Sequence, residues 1–126
     1  MDLSTGPNLD LITVIVRDTR RSKDFYVEKL GFKLKTDAGE FVSILTPNKF
    51  PIGLHTPHKG HIHKVAPNSF QLEFAVDDVD AWYKRLKKKG VRFSQRPKNT
   101  PWKEREAGLK DPDGHTLIIS SPVRAA

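Results

Sequence analysis

Four of the chain's five histidines fall within LHTPHKGHIHK, residues 54–64. Imidazole is a common metal ligand and the side chain that titrates near neutrality. The cluster is therefore a metal site, part of an active site, or a polar connector. Position along a strand separates these readings, because successive strand residues face opposite sides. PIGLHT (51–56) reads as a strand with Ile52 and Leu54 on its apolar side and Gly53 and His55 on the other. His58, His61 and His63 follow Pro57 around Gly60, and are expected in a solvated connector. A second run, FQLEFAV (70–76), alternates Gln71 and Glu73 with Leu72 and Phe74. A carboxylate in a partly apolar cleft has a raised pKa, which would suit Glu73 as a general base with His55 as the acid. The same pair could instead ligate a metal, short of the three or four ligands zinc normally takes, or orient a ligand by hydrogen bonds. His115, directly after DPDG, is expected to pack at a turn or strand edge.

The elements that would position these residues occur twice. LDLITVIVRDTRRSKDFYVEKLGFKL (9–34) and FQLEFAVDDVDAWYKRLKKKGVRF (70–93) each run strand, Asp, helix, Gly, short strand. Val16 and Asp18 match Val76 and Asp78 at an offset of 60, and Gly31 matches Gly90 at 59. Asp18 or Thr19, and Asp77 or Asp78, suit helix N-caps; Gly31 and Gly90 suit helix ends. Val79, Trp82, Tyr83 and Leu86 recur at helical spacing, and Phe25, Tyr26 and Leu30 do so less fully. Each helix is followed by hairpin material: FVSIL and FPIGLHT around TPNK, then REAGLK and HTLIIS around DPDG. The expectation is one α+β domain over 1–126, with module one at about 9–56, a histidine-rich connector at about 57–68 and module two at about 69–122. Each module is βαβββ; together they would form a cupped, half-barrel-like mixed sheet with the helices outside.

Function is then expected on the faces turned away from the helices. Ile12, Val14 and Val16 belong under the first helix, leaving Leu11, Thr13 and Ile15 opposite. The equivalent strand leaves Gln71, Glu73 and Ala75, and the last strand leaves Thr116, Ile118 and Ser120. Thr13, Gly53, His55, Gln71, Glu73, Ile118 and Ser120 would line a cleft with a few converging polar groups among aliphatic ones, the usual make-up of a small-molecule site.

Composition narrows the class. Apolar residues make up 37% of the 126 and charged ones 29%, as in a soluble globular protein. Without cysteine there is no disulfide, thiolate catalysis or sulfur-bound zinc. MDLSTGPN does not resemble an export signal and no segment has the length of a membrane span, so a cytoplasmic protein without membrane contact is expected. The net charge of +7 could attract anionic ligands or nucleic acid. Much of it lies in KRLKKKGVRF (84–93), read as a solvated helix face and end without a recognition motif, so no specific nucleic-acid binding is expected.

VRDTRRSKDFYVEKLGF (16–32) and TPWKEREAGLKDPDGHTLII (100–119), set in the duplicated plan, resemble the vicinal oxygen chelate superfamily of glyoxalase I, extradiol dioxygenases and bleomycin-resistance proteins. Lys103 stands where that pattern commonly has glycine. The resemblance implies a divalent ion held by His, Gln or Glu at four cleft-facing positions, which register at Leu11, Gly53, Gln71 and Ile118. Only Gln71 has a ligating side chain, so no metal and no cofactor are expected. Members without the ligands include resistance proteins that sequester a small molecule in a cleft completed by two protomers. By that resemblance the chain is expected to be a homodimeric, metal-independent small-molecule-binding protein. A neutral or anionic ligand fits its charge better than cationic bleomycin, with Trp102 either stacking on a planar ligand or plugging the barrel mouth. The rival expectation is an enzyme of the superfamily, a lyase, isomerase or dioxygenase-like protein, using His55 and Glu73 as acid and base or as a non-standard metal site.

Overall fold

A computed structural model describes residues 7–57, 65–67 and 69–123. The chain divides into two units, Met1–Lys64 and Val65–Ala126. The first contains β1 (Ile12–Ile15), α1 (Thr19–Lys23) continuing into a π-helical turn (Asp24–Lys29), β2 (Lys33–Asp37), β3 (Phe41–Leu45) and β4 (Pro51–His55). The second contains β5 (Gln71–Ala75), α2 (Val79–Lys88), β6 (Arg92–Asn99), β7 (Glu104–Lys110) and β8 (Thr116–Pro122). Each forms an open four-stranded mixed sheet, in the orders β1-β4-β3-β2 and β5-β8-β7-β6. The first and last strands of each unit pair in parallel, a connection that needs a crossover and receives it from the helix. The α+β class and the two βαβββ modules agree with the sequence. His58, His61 and His63 lie outside the described residues.

Local chemistry sets the helix limits. Asp18 Oδ1 accepts from Arg20 N at 3.0 Å, and Asp78 Oδ1 accepts from Ala81 N at 3.0 Å, each satisfying first-turn donors. Gly31 and Gly90 end the helical segments at φ 82° and 81°, where a side chain would be strained. Between cap and stop the modules differ. Asp18 to Gly31 is 31 − 18 = 13 positions, whereas Asp78 to Gly90 is 90 − 78 = 12. The first unit takes up the additional residue by widening, with Leu30 N donating to Phe25 O five residues back.

In the first unit Val14, Val16, Ile44 and Leu54 of the sheet side are fully buried, as is Tyr26 of the helical segment, whose ring takes Phe25 edge-on at 5.1 Å. In the second unit Val79 and Leu86 of α2 are buried along with Ala107, Leu109 and Leu117 of the sheet, and Tyr83 lies edge-on to Phe93 at 4.6 Å. Phe25 and Tyr26 are thus as much core as the clearer periodic face of α2. An ion pair ties each helical segment to its hairpin. Lys23 Nζ lies 2.8 Å from Asp37 Oδ2, and Arg105 grips Asp80 through Nε and a terminal nitrogen at 2.6 and 2.9 Å. Those hydrogen bonds hold both carboxyls below the usual range and raise the Arg105 guanidinium.

Candidate functional site

In the first sheet the register sets Thr13, Gly53, Ser43 and Thr36 in one row across all four strands. The next row brings Ile15, His55 and Phe41 together. Val14, Val42 and Leu54 between them are buried toward the helix, so these rows look the other way. A β-carbon on Gly53 would lie 2.9 Å from Phe41 Cε2 and 3.0 Å from Thr13 Oγ1, so its absence lets the ring fold over the strand. The Phe41 ring meets His55 edge-on with centroids 5.8 Å apart. The result is an aromatic pair beside a floor of hydroxyls and bare backbone. Thr13 is exposed, His55 half-buried, and Gly53 and Ser43 buried.

The second sheet repeats the layout with charge added. Glu73, Ile118 and Gly108 share a row that ends at Gln95. Gly108 matches Gly53 in role: a β-carbon there would lie 3.0 Å from Ser94 Oγ. Gln71, Thr116, Lys110 and Arg92 form the row on one side, and Ala75, Ser120, Glu106 and Lys98 the row on the other. Lys110 Nζ donates to Thr116 Oγ1 at 2.7 Å. Gln95 Nε2 is buried with no acceptor among the described residues.

The expected residues therefore gather by unit: Thr13, Gly53 and His55 on the first sheet, and Gln71, Glu73, Ile118 and Ser120 on the second. Gln71 and Glu73 are exposed, Ser120 is half-buried and Ile118 is buried. Trp102 is 66% exposed in the β6–β7 turn, followed by Lys103 at φ 67°. Phe41, Ser43, Lys110 and Arg92 were missed from sequence, although strand phase in FVSIL and REAGLK would have found the first three. Two recesses, of about 340 and 360 Å³, sit at the equivalent starts of α1 and α2. They close around the Lys23–Asp37 and Asp80–Arg105 pairs, and none of the expected site residues lines either. Their polar walls are committed to holding helix to hairpin.

Two arrangements bear on metal binding. Leu11 precedes β1, and with Gly53 and Ile118 it brings no donor side chain to the positions of the superfamily's ion, so these residues do not fit it. Among the described residues, Asp111, Asp113 and His115 bring possible ligand atoms within 4.8 Å of one another, all buried. Asp111 Oδ1 is already engaged, accepting from Asp113 N and His115 N at 2.9 Å each, while the His115 ring packs 5.3 Å from Phe70. The group thus serves as the clamp of the β7–β8 turn, the packing role expected of His115.

Paired βαβββ units with open sheets, helical cover on one face and small-residue rows on the other define the class. The model of the Glyoxalase/Bleomycin resistance protein/Dioxygenase superfamily matches residues 8–119, and the chain belongs to that family. It is 30% identical to the Bacillus subtilis (strain 168) protein YraH, over 85% of this chain and 91% of that one. Among solved structures it resembles TnmS3, an antibiotic binding protein from Streptomyces sp. CB03234, at 34% identity and TM-score 0.77, covering 92% of this chain and 96% of that one. A superfamily member from Sphaerobacter thermophilus DSM 20745 gives 26% identity and TM-score 0.77, covering 92% and 98%.

Proposed function

We propose that the chain is a metal-independent small-molecule-binding protein, acting as a cytoplasmic homodimer and holding its ligand against the helix-averted sheet faces. The observation that carries this reading is the Phe41–His55 ring pair over the Thr13, Gly53 and Ser43 row. Such a surface offers π-faces, hydroxyls and open backbone to a flat molecule. The likeness to an antibiotic binding protein at 34% identity supports it. In this reading Thr13, Gly53, His55, Gln71, Glu73, Ile118 and Ser120 contact the ligand, and Trp102 stacks on it. Fused-ring aromatic compounds are the first to screen, by calorimetry on protein treated with a chelator. Binding should survive chelation, and His55→Ala or Glu73→Ala should each lose about 1–3 kcal/mol of affinity with little change in stability. Binding that requires one equivalent of divalent metal would sink the reading, as would alanine variants that bind normally.

A further inference from the structure

In the second sheet β6 sets Arg92 directly opposite Lys110 of β7. Both side chains leave the sheet away from α2. Their neighbours face the helix: Phe93 meets Tyr83 at 4.6 Å, and Leu109 is fully buried. Like charges directly opposite one another destabilise a strand pair. A sequence that breaks a local rule in this way commonly does so where it serves something other than the fold. Lys110 Nζ turns toward β8 and donates to Thr116 Oγ1 at 2.7 Å, and Gln71 lies beyond Thr116 in the same row. No ion pair or hydrogen bond to the Arg92 side chain occurs among the described residues. The row thus gathers a guanidinium, an ammonium, a hydroxyl and a carboxamide, each able to donate to an anionic oxygen. The adjoining row is low at its centre, where Ile118 and the bare backbone of Gly108 lie, and carries the polar Glu73 and Gln95 at its two ends.

We propose that this row is the oxyanion end of the ligand site: a carboxylate or phosphate of the bound molecule sits between Arg92 and Lys110, beside Thr116 and Gln71. The Arg92 fork takes two oxygens at once, and Lys110, steadied by Thr116, supplies a point charge. The bound anion replaces the repulsion between the two cations with two attractions. The inference rests on the reading that the helix-averted faces hold a ligand, and it adds the ligand's charge.

The test uses the full chain, isotope-labelled for amide NMR, titrated with 2-naphthoate, 2-naphthyl phosphate and the neutral 2-naphthamide at near-physiological salt. One or both anions should saturably shift the Arg92, Lys110 and Thr116 amides and bind about tenfold more tightly than the amide. The tighter anion tells carboxylate from phosphate. Arg92→Gln and Lys110→Gln should each weaken the anion about fivefold, with a melting temperature that holds or rises because the repulsion is relieved. Lys88→Gln, which removes the same charge from the last turn of α2, on the opposite face of the sheet, should leave affinity within about twofold. Naphthamide bound at the same face as tightly as the anions overturns the oxyanion assignment and leaves small-molecule binding standing. An equal loss in Lys88→Gln overturns it as general attraction to a basic chain. No shift on either sheet with any of the three compounds sinks both.

Discussion

A methyl group on Gly53 would have to fit where the Phe41 ring and the Thr13 hydroxyl stand, at 2.9 and 3.0 Å. Withdrawing the ring would also disturb its edge-on contact with His55 at 5.8 Å. Gly53→Ala should therefore cost about 1–3 kcal/mol in denaturant unfolding, the usual cost of overpacking, and adding Phe41→Leu should recover part of it. A Gly53→Ala protein as stable as the parent would show that the ring does not lie over the strand. At this scale the sequence was legible where strand phase decided matters: Thr13 and His55 share the face read for them. Phe41 and Ser43 stand on that face too, but an aromatic and a serine in an apolar run look like core. Arg92 was hidden for the opposite reason. It closes a lysine-rich run, and only the register sets it beside Lys110 and apart from the cations of α2.

The turn TPWK shows what a single backbone angle does to an element. Lys103 sits at φ 67°, in the left-handed region where a side chain crowds the carbonyl oxygen, at a position where the resembled motif commonly has glycine. The turn nonetheless closes, with Lys103 N donating to Thr100 O and Thr100 Oγ1 accepting from Glu104 N. Lys103→Gly should raise unfolding stability by up to about 1 kcal/mol, the relief of strain less the entropy glycine gains in the unfolded chain. A loss of stability would mean that the lysine side chain contributes more than its backbone costs. Caps and helix stops were readable because they are local: an aspartate meets donors two or three residues on. The full length of β6 was not. Its register slips between Phe93 and Gln95 and again before Lys98, which breaks the alternation that marks a strand, and Pro97 reads against a strand altogether.

For the whole molecule, the sheet edges divide into two kinds. β2 carries Lys33 and Lys35, and β6 carries Arg92, Arg96, Pro97 and Lys98, the charges and proline that keep an edge from pairing. β1 reads ITVI and β5 QLEFA, with no cation and no proline. Edges left so bare suit strands that are covered in the working assembly, in line with the proposed homodimer. Sedimentation at low micromolar concentration should give twice the chain mass of 14.3 kDa, and a species of chain mass alone would refute it. The duplication was plain in the sequence because motif and spacing recur together, and its first irregularity was plain as well: the offset falls from 60 to 59 across the helix. The structure gives that lost step a location, the π-helical turn Asp24–Lys29. In terms of descent the two halves are unequal copies of one segment, and the turn is where a difference of one residue was kept. A helix can widen over a single turn and return both neighbouring strands to register, whereas a strand out of step by one would turn its whole buried set to the other face. Kin of this chain should therefore accept a one-residue change of length in this helix more readily than inside β1 or β5, the five-residue or shorter strands that open each unit.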